Sequence, residues 1–365
     1  MHLKHLSLKN FRSYSELELP LTPGITIFLG RNGEGKTNIV EAILYLAFLS
    51  SHRTAGDLPL IKLGESAAYT RALIQHPDRE ILVELEINAD KANRARINQN
   101  PIRSQKDLFG LIQCIYFSPE DMDLVRGDPS ERRRFIDQIL ILRSPRMAGV
   151  ITDYERAVRQ RNTLLKTRTN QASLEPWNQQ VAKFGAEIIA ARVSLLTEFE
   201  PFFTERYAII SADKPAHITY KSSIENPSTD PDENYRTIVT KMEEIQRQEL
   251  DRGLTLVGPH RDDLLLHLGK HLVKGYASHG ESWSIALSLK LAAYNLLVHE
   301  GVKPILILDD VFSELDEERR HQLIELAKSA EQTFITVAVE GDLPKDLQGT
   351  TFHVKNGSVK LKHES

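Results

Sequence analysis

Apolar and polar residues follow two different spacings along this chain, and the change between them outlines its organisation. From Leu3 to about Ile115, apolar residues mainly alternate with polar ones, a pattern that predicts strands. The clearest predicted strands are Leu17–Leu19, Ala68–Gln75, Ile81–Ile87 and Ala95–Asn98. From about Ser130 to Arg206, apolar residues recur at helical spacing with little glycine between them. The sequence therefore predicts a strand-rich N-terminal region followed by a helical one.

The helical region is followed by a return to strand-like sequence. The long predicted helices are Ser144–Thr169, Glu175–Tyr207 and Tyr235–Leu250. Between the last two, the segment from Pro215 to Pro231 contains a loop rich in Ser, Asn, Pro and Asp. Strand-like segments follow at Leu254–Val257 and Leu264–Leu268. No sustained a/d heptad repeat runs through the helices, so a long coiled coil is not expected.

A glycine-rich loop joins two apolar segments near the N-terminus. Gly24–Leu29 is apolar and β-branched, which predicts a buried strand, and Asn38–Leu49 has the apolar positions of a buried helix. The loop between them matches G-x-x-x-x-G-K-[ST] in full, with the residues Gly30, Arg31, Asn32, Gly33, Glu34, Gly35, Lys36 and Thr37. A chance glycine-rich turn before a helix is the alternative, and it is weak because both flanking elements are also present.

This strand–loop–helix arrangement predicts a site for ATP and Mg²⁺. Glycines let consecutive backbone N–H groups converge on a phosphate, and the helix N-terminus adds its positive dipole end. Lys36 is expected to reach the β- and γ-phosphates, and the Thr37 hydroxyl to take a Mg²⁺ position. The chain is therefore expected to bind a nucleoside triphosphate.

A second apolar segment supplies the acidic half of this site. Pro304–Leu308 predicts a buried strand that ends in Asp309 and Asp310. Asp309 is expected at the Mg²⁺, and Asp310 where a general base or water-positioning carboxylate belongs. Adjacent acids in a simple strand-end turn are the alternative. Since these acids follow the loop by about 270 residues, one lobe must be built from both ends of the chain.

The sequence thus predicts an α/β protein of two lobes. Residues 1–120 with 254–365 are assigned to the nucleotide-binding lobe, and residues 121–253 to an inserted, mainly helical lobe. Composition adds a soluble class, since 41% of residues are hydrophobic and 26% are charged. The single cysteine, Cys114, excludes a disulfide framework and a structural zinc site. With no signal peptide and no apolar run near 18 residues, a cytoplasmic location is expected.

A short polar element before the Asp309 strand predicts a second anion site. Ser278-His-Gly-Glu-Ser282 precedes the predicted helix Trp283–Val298, and Ser278, Gly280 and Glu281 are its candidate nucleotide contacts. The loop at residues 30–37 already serves its own site, so a second element suggests a site shared by two subunits. An ordinary helix N-cap formed by Ser and Glu is the alternative. Asp316, in the segment after Asp310, is a candidate for coupling the two subunits.

A basic stretch is the expected DNA surface. Residues 126–170 contain eleven Lys/Arg against five Asp/Glu, whereas the whole chain has a formal net charge of −4. Arg156, Arg159 and Arg161 are the candidate phosphate contacts, because no regular series of aromatic residues interleaves these charges for base stacking. A solvated helix face with internal ion pairs is the alternative. The turn His260–Asp263 mixes both signs, and we interpret it as structural or as coupling between lobes.

Five segments together resemble the ABC-type ATPases of DNA repair and chromosome maintenance, and most specifically the RecF family of bacterial recombination mediators. The resemblance covers almost the whole chain. Its segments are Leu8–Tyr14, Gly30–Gly33, Phe117–Asp121, Val125–Asp137 and Val257–Asp263. It implies an ABC-type ATPase lobe and an ATP-dependent homodimer on DNA, especially at single-strand/duplex junctions. It also implies replication and recombinational repair functions, in which RecO and RecR are partners for loading RecA onto gapped DNA.

The sequence departs from the common pattern of such ATPases at several positions. His279 and Glu281 stand where glutamine is frequent, and Trp283 where a basic residue is frequent. Asp310 replaces the longer Glu of transporters, and Thr336 is the polar residue expected to sense the γ-phosphate. We expect a weak ATPase that DNA modulates. The competing interpretation is the ATP-binding subunit of a membrane transporter, which the long helical insert and the RecF-type segments do not favour.

Overall fold

The computed structural model describes residues 1–54, 56–168, 171–211 and 214–362. The chain folds into two compact units, a first unit of Met1–Asp121 with Leu297–Ser365 and a second unit of Met122–Leu296. Assembly of the first unit from both chain ends therefore agrees with the expected fold class. Residues 254–296, which were expected in the nucleotide-binding lobe, lie in the second unit.

The elements are numbered in chain order. The N-terminal part of the first unit contains β1 (His2–Phe11), β2 (Tyr14–Pro20), β3 (Gly24–Leu29), α1 (Lys36–Phe48), β4 (Ala67–Gln75), β5 (Glu80–Asn88), β6 (Arg94–Ile97), β7 (Asn100–Pro101) and β8 (Cys114–Phe117). There follow α2 (Asp123–Arg126), α3 (Pro129–Arg143), α4 (Arg146–Lys166), α5 (Gln171–Ile210), β9 (Ala216–Lys221), α6 (Pro231–Arg252), β10 (Asp263–Leu268), β11 (His271–Leu272) and α7 (His279–His299). The chain continues with β12 (Ile305–Asp309), α8 (Glu317–Ser329), β13 (Gln332–Val337), β14 (Thr350–Lys355) and β15 (Ser358–Leu361).

The first unit contains an antiparallel sheet in the order β2-β1-β4-β5-β6-β7. Its strands follow the alternating pattern seen in the sequence. In β1, for example, Leu6 and Leu8 are buried, while Ser7 and Lys9 point to the other face. The predicted strands at 17–19, 68–75, 81–87 and 95–98 all correspond to strands of this sheet.

A second sheet of the first unit carries the predicted nucleotide-binding segments. Its order is β15-β14-β3-β13-β12-β8, and β14, β3, β13, β12 and β8 run parallel. Ile305, Leu306, Ile307 and Leu308 of β12 are fully buried, as expected of a parallel strand covered on both faces. Strand β13 lies between β3 and β12 and pairs Thr336 with Asp309. The glycine-rich loop and Asp309 therefore follow strands that end at the same edge of the sheet.

The second unit combines helices α2–α6 and most of α7 with an antiparallel sheet in the order β11-β10-β9. Two details of the sequence prediction were wrong here. Residues 216–221, inside the predicted loop, form β9 and pair with β10. Residues 254–257, predicted as a strand, have no regular structure. Side chains take the place of a partner strand, because Thr255 N donates to Asn162 Oδ1 at 2.7 Å and Leu256 N donates to Glu249 Oε1 at 2.7 Å.

A buried ion pair joins three of these helices. Arg161 on α4 is 2% exposed, and its Nη2 donates to Oε2 of the fully buried Glu249 on α6 at 2.5 Å. Its Nε donates to Asn178 Oδ1 on α5 at 2.7 Å, and its Nη1 to Thr255 Oγ1 at 3.0 Å. Arg161 is therefore a core residue of the second unit. The prediction that it contacts DNA phosphates is wrong, because its guanidinium is enclosed and each of its three nitrogens donates to a group of the second unit.

The His260–Asp263 turn is also internal to the second unit. Burial lowers the pKa of His260 to about 4, so this imidazole is neutral at physiological pH. Its Nδ1 lies 2.5 Å from Tyr154 Oη, and its Nε2 lies 3.1 Å from Thr255 O. Asp262 is fully buried and accepts from Ser223 N at 2.7 Å and from the Tyr220 hydroxyl. These contacts give the turn a structural role.

Replacing Arg161 with alanine should lower the free energy of unfolding by about 3–5 kcal/mol, because Glu249 would keep a buried charge without its partner. The control is Arg159→Ala on the same helix, whose side chain is 65% exposed and 3.7 Å from Glu155. That change should stay within about 0.5 kcal/mol of the wild type. Urea unfolding followed by circular dichroism measures both. Equal effects of the two substitutions would contradict the structural role of Arg161.

Candidate nucleotide site

The glycine-rich loop between β3 and α1 has the backbone that its sequence requires. Gly33 and Gly35 have φ angles of 84° and 112°, in the left-handed region that side chains disfavour. A Cβ on Gly30 would lie 2.2 Å from Val354 O, so neighbouring backbone excludes any side chain there. Tyr14 Oη donates to Gly35 O at 3.1 Å and holds the end of the loop. The predicted phosphate-binding loop (P-loop), residues 30–37, is therefore held in place by neighbouring groups and leads into the N-terminus of α1.

The remaining loop residues leave the start of α1 open to an anion. Arg31, Asn32 and Gly33 are exposed, and Arg31 N donates to Glu34 Oε2 at 3.2 Å. No acidic residue occupies the first turn of α1. Because a helix N-terminus attracts negative charge, this end is suited to a phosphate group.

Lys36 is the positive charge at this helix end. It is 3% exposed, and its Nζ lies 3.4 Å from Arg31 O and 3.5 Å from Asn32 Oδ1. Its Nζ also lies 3.7 Å from the carboxylate oxygen Asp310 Oδ2. The loop thus holds an ammonium group that phosphate oxygens can pair with, next to the acid predicted to assist hydrolysis.

Thr37 and Asp309 meet at the centre of the site. Thr37 Oγ1 donates to Asp309 Oδ1 at 3.2 Å, although the two residues are 272 positions apart. Hydroxyl and carboxylate oxygens are hard donors that suit Mg²⁺, which is usually held by one or two carboxylates with phosphates and water completing its shell. Within the described residues, no group of three or more His, Cys, Asp or Glu side chains could hold a metal by itself. Thr37 and Asp309 therefore fit a Mg²⁺ whose other ligands would be phosphate and water oxygens.

Two further hydroxyl groups hold Asp309, and sequence reasoning missed both roles. Thr336 Oγ1 on β13 donates to Asp309 Oδ1 at 2.5 Å, and Tyr116 Oη on β8 donates to Oδ2 at 3.3 Å. Tyr116 Oη also lies 3.1 Å from His52 Nε2. The Thr336 hydroxyl additionally accepts from Asp310 N at 3.0 Å. Thr336 therefore positions both acids, and its role in sensing the γ-phosphate stays a prediction.

The two acids differ in environment. Asp309 is 5% exposed, and burial, with a further contribution from the negative charge of Asp310, raises its pKa to about 6 despite the hydroxyl donors. Asp310 is 32% exposed and has a φ angle of 51°, which is uncommon for a residue other than glycine. Bonds from Asp310 N to Thr336 Oγ1 and to Thr336 O, at 3.0 and 3.2 Å, hold this conformation. Such strain often accompanies functional sites.

The predicted second anion element lies at the start of α7 in the second unit. Ser278 Oγ accepts from Glu281 N at 3.1 Å, and Glu281 Oε2 accepts from Ser278 N at 2.8 Å. This is the reciprocal capping box that the sequence left open as the alternative. The bond from Ser278 N, with the Lys214 ammonium 3.0 Å from Oε1, lowers the pKa of Glu281 to about 2. Capping leaves the Ser278 hydroxyl proton available, so a structural cap and a ligand contact are compatible.

The predicted DNA surface is less basic in the fold than in the sequence. Eight arginines of residues 126–170 form ion pairs with carboxylates: Arg132, Arg134, Arg143, Arg146, Arg156, Arg159, Arg161 and Arg168. Five of these acids lie outside residues 126–170, so the charge count of that stretch did not include them: Asp263, Glu198, Glu187, Glu249 and Asp251. Of the three candidates, only Arg156 and Arg159 are exposed, at 63% and 65%.

Comparison with known proteins identifies relatives over the full length of the chain. The family described as RecF/RecN/SMC N terminal domain matches residues 2–351. A Streptomyces avermitilis protein named DNA replication and repair protein RecF is 47% identical over 371 residues, covering 99% of this chain and 100% of the relative. A Frankia alni protein of the same name is 46% identical over 374 residues, covering 98% of this chain and 99% of the relative.

Solved structures agree with this match. Structures of the recombination mediator protein RecF with ATPrS and with ATP, both described as part of the RecFOR pathway, superpose with a TM-score of 0.90 at 27% identity. They cover 99% of this chain and 98% and 97% of the solved chains. An Smc head bound to the C-terminal winged-helix domain of ScpA has a TM-score of 0.59 at 17% identity over 99% of this chain and 97% of its own, so it shares the fold. Among the described residues, no helix is both long and apolar enough to cross a bilayer.

Asp309→Asn should raise the thermal stability of the nucleotide-free protein at pH 8. A carboxyl whose folded pKa exceeds its unfolded value destabilises the fold above both values, and the effect disappears below both. The rise of the Asp309 pKa from 3.8 to about 6 lowers the free energy of unfolding by roughly 1–3 kcal/mol at pH 8, and by about half of that at pH 5. Tyr116 can accept from the new amide while donating to His52, so the contacts survive.

Differential scanning fluorimetry without nucleotide or Mg²⁺ measures this effect, and the smaller difference expected at pH 5 serves as the control. An Asp309→Asn protein that melts below the wild type at pH 8 would show that the hydroxyl bonds to the carboxylate outweigh its burial.

Proposed function

The chain belongs to the RecF/RecN/SMC N-terminal domain family, with RecF proteins as its close relatives, and from this premise we propose that it is an ATP-dependent DNA-binding protein of recombinational repair and replication-fork maintenance. The observation that carries the ATPase part is the contact of Thr37 with Asp309, beside the Lys36–Asp310 pair. These contacts bring both halves of a nucleotide site together from the two ends of the chain. Similarity to RecF over nearly the full length supports the DNA part.

The residues of the first unit have distinct proposed roles in hydrolysis. Lys36 pairs with the β- and γ-phosphates, and Thr37 with Asp309 holds Mg²⁺. The metal, when bound, supplies positive charge that offsets negative charge on the phosphates. Asp310 orients the attacking water or accepts its proton, since its carboxylate is partly exposed and adjoins Lys36. The short Asp310 side chain is consistent with a weak ATPase whose rate DNA modulates.

The Ser278 element is proposed to complete the site of a second copy. Ser278, Gly280 and Glu281 begin α7, where a helix dipole and the Ser278 hydroxyl favour an anion. A γ-phosphate presented by another subunit would then join two chains in the ATP state but not in the ADP state. This homodimer is proposed to assemble in the cytoplasm on gapped DNA at single-strand/duplex junctions. RecO and RecR are the proposed partners in loading RecA there.

Arg156 and Arg159 remain the proposed DNA contacts. Both lie on α4, and each is 3.7–3.8 Å from an acid of its own helix, Asp153 or Glu155. Such exposed pairs contribute little to stability, so the side chains can turn to phosphates at small cost. The family match and the mainly helical second unit leave the transporter alternative without support.

Wild-type protein should dimerise with ATP and Mg²⁺ but not with ADP, and gapped DNA should increase the dimer fraction. Ser278→Arg should abolish the dimer, because it places bulk and positive charge where the hydroxyl should donate, while ATP affinity of the monomer is unchanged. Lys36→Met should lose the dimer together with ATP affinity. Light scattering and titration with a fluorescent ATP analogue measure these quantities. The same dimer with ATP, with ADP and without nucleotide would contradict the shared site.

Replacing both Arg156 and Arg159 with alanine should reduce the salt dependence of duplex binding. Log affinity falls with log salt by about 0.9 per phosphate neutralised, so the double variant should flatten the slope by roughly one to two. Binding should weaken about equally across sequences, because phosphate contacts carry no base readout. The control is Arg71→Ala, an exposed arginine of the first unit paired with Glu84 at 2.9 Å. An unchanged slope in the double variant would place the DNA elsewhere.

A further inference from the structure

The side chain of Arg126, a residue of another helix, lies at the start of helix α7. Arg126 is the last residue of the short helix α2, and its side chain is exposed. Arg126 Nε donates to Ser282 Oγ at 3.3 Å, and Ser282 Oγ in turn donates to Ser278 O at 2.7 Å. The Arg126 guanidinium therefore lies against the first turn of α7, which is the turn that Ser278 caps.

The charge environment of Arg126 differs from that of the arginines that follow it. Eight arginines of the basic stretch are paired with carboxylates, as described above. In the described ranges, the recorded partner of Arg126 is the neutral hydroxyl of Ser282. The nearby Glu281 carboxylate is held by Ser278 N and by Lys214. Because a helix N-terminus carries partial positive charge, a cation placed there is unfavourable unless an anion joins it.

The backbone around Arg126 is built to hold it in this place. Gly127 O accepts from Lys274 Nζ at 2.8 Å and from Arg132 Nη1 at 3.2 Å. Arg132 is 5% exposed and is anchored by Asp263, whose Oδ1 accepts from its Nε at 2.7 Å. A Cβ on Gly127 would lie 2.5 Å from Asp123 O, so the turn after Arg126 requires glycine. These contacts fix the turn that follows Arg126.

We propose that Arg126 contacts the triphosphate held by the P-loop of a second copy, so that each nucleotide site is completed by a cation from the other subunit. The inference rests on the proposed ATP-dependent dimer and names a residue that it requires. A planar guanidinium suits phosphate oxygens, because its N–H groups can donate in parallel. The bond from Nε to Ser282 Oγ holds the guanidinium at the start of α7, and Nη1 and Nη2 are the proposed phosphate donors. Arg126 and Ser278 together then distinguish ATP from ADP.

The first test separates binding by one subunit from assembly of two. Arg126→Ala should leave the affinity of the monomer for a fluorescent ATP analogue unchanged, since the proposal assigns Arg126 to the phosphate of the partner's P-loop. Dimer formation with a non-hydrolysable ATP analogue should weaken roughly a hundredfold to ten-thousandfold, because each of the two sites loses a hydrogen bond to a charged group, and each such bond contributes about tenfold to a hundredfold. Arg126→Lys should recover part of it. The control is Arg146→Ala, an exposed arginine of the same unit paired with Glu187, which should dimerise like the wild type.

The second test asks which subunit supplies the arginine. Lys36→Met cannot bind ATP but keeps Arg126, whereas Arg126→Ala keeps its P-loop. If Arg126 acts across the dimer, an equimolar mixture contains one complete site per heterodimer. Both dimer formation, followed by light scattering, and ATP hydrolysis should then exceed the sum of the separate proteins. If Arg126 acts within its own subunit, or only stabilises the fold, neither dimer formation nor ATP hydrolysis should recover in the mixture.

A parallel mixture of Lys36→Met with Ser278→Arg tests the shared site itself. Recovery in this mixture but not in the Arg126→Ala mixture would overturn the role of Arg126 and leave the proposed dimer standing. Absence of recovery in both mixtures would contradict the two-subunit site, and the assignment of Arg126 with it. An Arg126→Ala protein that dimerises with wild-type affinity would also overturn the inference.

Discussion

The buried carboxylate of Asp309 is the group on which the nucleotide site of the first unit depends. It accepts hydrogen bonds from Thr37 on α1, Thr336 on β13 and Tyr116 on β8. A buried carboxylate is unfavourable unless donors surround it. These donors come from three elements distant in sequence, so the charge is tolerated only when the parallel sheet has formed in the correct order. The nucleotide site therefore forms only when this sheet has formed.

The position of β13 between β3 and β12 has a chemical consequence. It places Thr336 where one hydroxyl can donate to Asp309 and accept from the backbone N–H of Asp310. The same contacts hold Asp310 in a left-handed conformation that costs about 1–3 kcal/mol without support. One threonine thus fixes the direction of both acids, and its contribution comes from strand order rather than from proximity along the chain.

In the second unit, buried arginines are paired with carboxylates, whereas Asp309 in the first unit is held by hydroxyl groups. Arg161 with Glu249, and Arg192 with Asp137 at 2.8 Å, connect helices through nearly enclosed guanidinium groups. Such pairs add less to stability than their number suggests, but removal of one partner is costly. They specify how the helices meet. Arg126 stands apart from this network because its recorded contact, in the described part of the chain, is with a hydroxyl at a helix start.

Features governed by neighbouring residues could be predicted from the sequence alone. The strand before Gly30, the loop conformation and the helix after it follow from short-range backbone preferences, and all three are observed. The Ser278–Glu281 cap likewise depends on residues three positions apart. Family membership was accessible for a related reason, because several specific segments recur in order along the chain.

Features governed by distant partners were decided only by the tertiary structure. Arg159 and Arg161 look alike in the sequence, yet Arg159 is exposed and Arg161 is buried against Glu249. Residues 216–221 became a strand because β10 offers a complementary edge, whereas 254–257 did not because side chains already satisfy its backbone. Burial and hydrogen-bond pairing are properties of the assembled core. A local pattern of apolar and charged residues shows which groups need partners, and only the fold shows which partners they find.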